Sequence, residues 1–197
     1  LGAGGYGRVY RAVQLPGGQL VALKTIFTVY DDGAARFARE AAIAQKLKHP
    51  NTVRLFDFGK TERGQPFLVL ELLQGQSLEA MVDAGGALPL ESALTIVSQV
   101  LMALMEAHSF NIIHRDIKPA NILLGPDASP VLVDYDIADI RFVTQLSVAH
   151  GGLGTPIFAA PEQLEDAEYA DERSDIYSLG RLLHYLLLEG SPGYQIE

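Results

Sequence analysis

The most chemically loaded string in the chain is His114-Arg115-Asp116-Ile117-Lys118-Pro119-Ala120-Asn121. It puts a carboxylate, an ammonium and an amide within one short stretch, between apolar Ile112-Ile113 and Ile122-Leu123-Leu124. A carboxylate so placed could orient a hydroxyl nucleophile, the ammonium could offset phosphoryl charge, and the amide could hold a metal ion. Two further features fit phosphate chemistry. Gly2-Ala3-Gly4-Gly5-Tyr6-Gly7-Arg8-Val9 follows G-x-G-x-x-G-x-V, in which side-chain-free backbone amides approach phosphate oxygens closely. Val21-Ala22-Leu23-Lys24 sets a lysine inside an apolar strand, where it requires an anion, and Glu40 is an available partner. Each feature also has a plainer reading: a tight glycine hairpin, or a lysine whose stem lies along the surface.

These groups need a scaffold that alternates strand and helix. Residues 1–30 read as antiparallel strands joined by Gly-rich turns, so the glycines do not lead into the helix that a dinucleotide fold demands. Phe37, Ala41, Ala44 and Leu47 form a helical stripe across residues 34–48, closed by Pro50. Val53–Phe58 and Pro66–Leu72 are strand-like. Beyond them the pattern turns helical. Leu94, Val97, Leu101, Leu104 and Met105 mark one face of a helix over residues 90–108 that is expected to be buried, and residues 174–189 form a second apolar helix. Ile122–Leu124 and Val131–Val133 are short strands set in loops. Residues 135–158 lack periodicity, as functional loops often do.

Composition narrows the classes. The 197 residues are 48% hydrophobic and 20% charged, a globular balance. The absence of cysteine excludes disulfides, thiolate metal sites and cysteine nucleophiles. The net charge of −9 argues against nucleic-acid binding. It is split: residues 1–70 carry +5 and residues 71–197 carry −14. No uninterrupted run of 18 apolar residues occurs, so no membrane span is expected. The expected location is cytoplasmic. The chain opens without methionine or a basic leader, which suggests that it begins inside a longer polypeptide.

Taken in order, these motifs resemble the catalytic domain of a bacterial-type serine/threonine protein kinase, and the resemblance runs from residue 1 to about residue 190. It implies an α+β fold of two lobes, a small antiparallel sheet with one helix (residues 1–73) and a mainly helical lobe (residues 74–197) that is incomplete at its C-terminal end. By the same resemblance, ATP would lie against Leu1, Gly2, Gly4, Gly7, Val9, Ala22, Lys24, Leu70, Glu71 and Leu73, with Leu70 guarding the back of the pocket. Lys24 would pair with Glu40. Asp116 would act as catalytic base with Lys118 beside it, and Asn121 and Asp134 would hold Mg2+. Ala160-Pro161-Glu162 would close the activation segment, and Asp175 would brace the catalytic loop. Thr144 and Ser147 are the expected phosphorylation sites, with autophosphorylation in trans, while Thr155 would steady Asp116 and Lys118.

One position departs from the pattern. Where the family carries D-F-G, this chain has Asp134-Tyr135-Asp136. The metal-binding aspartate is kept, a hydroxyl is added, and the glycine is replaced by a second carboxylate. Activity is expected to persist with altered switching of the motif. A nucleotide-binding protein without catalysis is the first rival, and phosphorylation of a small molecule the second. Expected partners are proteins with Ser/Thr acceptors in basic surroundings. The full-length protein could carry a membrane anchor outside this sequence.

Overall fold

The computed structural model describes residues 2–4, 7–26, 33–135, 157–166 and 169–188. Leu1, Asp136, Thr144, Ser147 and Thr155, all singled out above, lie outside the described residues.

The first lobe is a five-stranded antiparallel sheet built from β1 (Gly2–Gly4), β2 (Gly7–Gln14), β3 (Gln19–Ile26), β4 (Leu55–Lys60) and β5 (Pro66–Glu71). The strands lie in the order β1-β2-β3-β5-β4. The close antiparallel pairing of β2 and β3 explains one glycine. A Cβ at Gly7 would stand 1.8 Å from the Thr25 carbonyl oxygen, far inside contact distance. One helix, α1 (Gly33–Ala44), covers the sheet with Phe37, Ala41 and Ala44 buried at helical spacing. Phe37 meets Phe58 of β4 edge-on, ring centroids 6.2 Å apart.

The second lobe opens with β6 (Gln76–Ser77) and α2 (Leu78–Gly85), two elements that the apolar pattern did not reveal. The Ser77 hydroxyl accepts the Ala80 N–H at 3.1 Å and so caps α2. Next come α3 (Leu90–Ser109), a short 3-10 turn (Pro119–Asn121), β7 (Ile122–Leu124), β8 (Pro130–Leu132), α4 (Pro161–Glu165) and α5 (Glu172–Leu187). β6, β7 and β8 form a three-stranded antiparallel sheet.

The buried face of α3 differs from the sequence expectation. Ala93, Ile96, Val100, Ala103, Leu104 and Ala107 are buried, whereas Leu94, Leu101 and Met105 are exposed. Small alanines on the inner stripe let α5 and β8 approach closely, and the longer side chains are left on the other side. In length and mean hydropathy (1.4) α3 would also suffice to cross a membrane, contrary to the reading from uninterrupted apolar runs. Six of its 20 residues are buried. The buried residues of both lobes form one cluster, from Ile26, Phe37 and Leu55 through Leu78 and Leu104 to Leu182 and Leu186.

Candidate active site

Asp116, Lys118 and Asn121 follow α3 on the loop that leads into β7, and hydrogen bonds within the loop gather them. Asn121 Nδ2 donates to Asp116 twice, to its carbonyl and to Oδ2, each at 2.8 Å. Lys118 Nζ lies 2.8 Å from the same Oδ2. Asp116 and Lys118 are each about a third exposed, open to a reactant. The loop is held from below by Asp175 on α5, which is fully buried. Its Oδ2 accepts the His114 N–H at 2.9 Å and its Oδ1 the Arg115 N–H at 2.8 Å. His108, at the end of α3, places Nε2 2.8 Å from Asp175 Oδ2. Arg115 takes a left-handed backbone (φ 67°), a conformation these bonds secure.

Asp134 reaches the site from β8. Backbone pairing carries it there: the Val133 N–H donates to the Asn121 carbonyl at 2.9 Å, so the residue before Asp134 is bonded to Asn121. Asp134 is also left-handed (φ 63°), and Lys24 Nζ on β3 meets its Oδ1 at 2.9 Å. Lys24 thus forms an ion pair with Asp134, and Glu40 lies half-buried on α1. The left-handed backbone of Asp134, after a strand fixed to β7, carries its carboxylate across to β3. Behind the pair lies an apolar pocket formed by Ala44, Leu47, Val53, Leu55, Leu68, Leu70 and Tyr135. Ala22 on β3 and Leu70 on β5 are register partners, and Val21 faces Glu71. The edge of the cleft therefore gathers Ala22, Leu70 and Glu71, with Leu73 just beyond β5. Gly2, Gly4, Gly7 and Val9 stand on β1 and β2, where Val9 pairs with Lys24.

The donor set suits a hard cation that keeps phosphate or water ligands. Because both Asn121 amide bonds to Asp116 use Nδ2, its oxygen end is the one left for a cation, and Asp134 adds a half-exposed carboxylate. Oxygen-only donors with one carboxylate match Mg2+ better than zinc. Among the described residues no group of three His, Cys, Asp or Glu could bind a metal by itself.

Several contacts that support the site carry no local sequence signal, even where one partner does. Gln163 Nε2 donates to the Arg115 carbonyl at 2.9 Å, tying α4 to the loop. The Ser174 hydroxyl donates to Glu162 at 2.6 Å and holds that carboxyl below its ordinary range. Tyr135 is buried against His114, ring centroids 4.7 Å apart, and burial raises its phenol well above the usual value, so it stays neutral. Thr52 and His108 likewise become visible only in three dimensions.

A family model described as protein kinase domain matches residues 1–197. The chain is 38% identical over 198 residues to the serine/threonine-protein kinase pkn3 of Myxococcus xanthus, covering 95% of this chain and 36% of that protein. It is 35% identical to the serine/threonine-protein kinase PknL of Mycobacterium tuberculosis, over 98% of this chain and 48% of that protein. To the serine/threonine-protein kinase PknH of Mycobacterium bovis it is also 35% identical, over 100% of this chain and 33% of that protein. The chain spans about a third to a half of the length of these relatives.

Proposed function

The chain belongs to the protein kinase family, and on that premise we propose that it transfers the γ-phosphoryl group of ATP to serine or threonine hydroxyls of protein substrates. The observation that carries this reading is the gathering of Asp116, Lys118 and Asn121 in one hydrogen-bonded loop joined to Asp134 by backbone pairing. Asp116 orients the acceptor hydroxyl and takes its proton as the hydroxyl oxygen bonds to the γ-phosphorus and the bond from that phosphorus to the β,γ-bridging oxygen breaks, releasing ADP. Lys118, beside that carboxylate, offsets charge on the transferring group, and Lys24 does so from β3. Asn121 and Asp134 would hold Mg2+, which when bound neutralises phosphate charge. The apolar cleft edge at Ala22, Leu70 and Leu73 would receive the adenine ring, and the glycine strands would lie over the phosphates. Most of the catalysis is positioning, which the rigid support under the loop supplies.

Asp136, in place of a glycine, supports the rival of a nucleotide-binding protein without catalysis. Incubation with radiolabelled ATP and Mg2+, using a basic protein or an aminoglycoside as acceptor, separates the readings. Label on serine or threonine of the protein, abolished in Asp116→Asn, supports the proposal. Label on the aminoglycoside alone assigns small-molecule transfer, and label on neither assigns the non-catalytic role.

A further inference from the structure

We propose that Thr52 is a positioning residue for the reaction, its hydroxyl fixing through Tyr135 the carboxylate of Asp134 at the cleft. The inference rests on the kinase reading above and names the side chain that holds its metal-binding aspartate in place.

Asp134 has the left-handed backbone that a non-glycine residue keeps only where neighbours hold it. Its neighbours are held at both ends by one three-residue stretch, Asn51 and Val53 at one end and Thr52 at the other. On one side the Leu132 N–H donates to the Asn51 carbonyl at 2.8 Å, and the Val53 N–H donates to the Leu132 carbonyl at 3.0 Å. On the other side the Tyr135 hydroxyl lies 3.2 Å from Thr52 Oγ1. Asp134 therefore sits in a short span between two attachments to residues 51–53. Both hydroxyls are enclosed, Thr52 being 3% and Tyr135 6% exposed. A phenyl ring at 135 could leave this pocket at the cost of packing alone. A tyrosine that leaves must also strip two buried hydroxyls of their partner, so the bond biases the motif towards the inward position.

The anchor itself is firm. The Thr52 N–H donates to the His49 carbonyl at 3.0 Å. Glu106 of α3 accepts the backbone N–H groups of Lys48 and His49, at 3.0 and 2.9 Å. Asn51 Nδ2 donates to the Pro130 carbonyl at 2.6 Å and to Gln99 of α3 at 3.2 Å. Thr52 is thus carried on a loop bolted to α3 and β8. Valine in its place would keep nearly the same side-chain outline and lose the hydroxyl and its bond.

The test compares Thr52→Val, Thr52→Ser, Tyr135→Phe and the double variant Thr52→Val/Tyr135→Phe. Two quantities are read: amide hydrogen exchange over residues 132–135, and the Mg2+ concentration giving half-maximal phosphorylation. Thr52→Val and Tyr135→Phe are each expected to raise both by roughly fivefold, the ratio that corresponds to one ordinary hydrogen bond. Thr52→Ser, which keeps the hydroxyl, restores wild-type values, and the double variant is no worse than the poorer single one. Wild-type exchange and Mg2+ dependence in Thr52→Val would overturn the proposal. So would equal damage from Thr52→Ser, which would make the role one of methyl packing, or additive damage in the double variant. Absence of phosphoryl transfer in the unsubstituted protein overturns the kinase reading instead, and hydrogen exchange still decides whether Thr52 holds the span around Asp134.

Discussion

Asp175 lies out of contact with solvent, and its oxygens are taken up by two backbone amides and one imidazole. Replacement by alanine leaves the His114 and Arg115 amides buried without an acceptor. Each such orphan costs about 1–3 kcal/mol, so Asp175→Ala is expected to lose on the order of 3 kcal/mol of stability in denaturant titration. Loss of under 0.5 kcal/mol, within the range of ordinary surface changes of about that size, would contradict the role assigned to it. The residues that the chemistry uses differ in how readable they are from sequence. Asp116, Lys118 and Asn121 stand within six positions on one loop, and their spacing alone brings them together. Lys24 and Asp134 are 110 positions apart, and their pairing depends on a backbone torsion at Asp134 that residue type does not specify. Thr52 and Tyr135 meet across 83 positions; the added hydroxyl of Tyr135 is visible in the sequence, but nothing marks Thr52 as its partner.

At the level of elements, Gly75 shows how closely the connection between lobes is drawn. A Cβ there would stand 1.9 Å from the Leu124 carbonyl oxygen, a backbone atom at the end of β7 that cannot rotate away. Gly75→Ala must push β6 from β7, the strand that follows the loop of Asp116 and Asn121. The expected cost is about 1–3 kcal/mol by thermal unfolding, together with a fall in phosphoryl-transfer rate. An alanine variant with unchanged melting temperature and rate would show that the contact yields freely. The sheet of the first lobe and its helix were readable because Phe37, Ala41 and Ala44 repeat at helical spacing and the strands are bounded by glycines. α2 was not, because its buried set is only Leu78 and Val82, too few to make a period. On α3 the periodicity was correct and the face was partly displaced: Leu104 is buried and Val97 packs on the core as expected, whereas Leu94, Leu101 and Met105 give way to alanines that permit a close helix crossing.

Across the whole molecule, the change of charge near residue 70 coincides with the passage from β5 to the second lobe. The −14 half holds the loop of Asp116, Lys118 and Asn121 and the acidic residues of the 162–172 stretch. Peptides with arginine or lysine flanking the acceptor are therefore expected to show several-fold higher kcat/KM than acidic ones, a preference that weakens as salt rises. Equal rates on both would show that the acidic surface serves solubility alone. Both lobes share one buried cluster, and the loop of residues 48–53 is bonded to α3 and β8, so the cleft is assembled by the fold as a unit. Whether that cleft is a catalyst is decided most directly by the rate of phosphoryl transfer from ATP to a serine peptide, in the unsubstituted protein and in Asp116→Asn, with nucleotide affinity measured in parallel. If Asp116 accepts the hydroxyl proton, the rate falls by about 10²–10⁴-fold while affinity is kept. Equal rates in the two proteins, or no transfer by either, would contradict it.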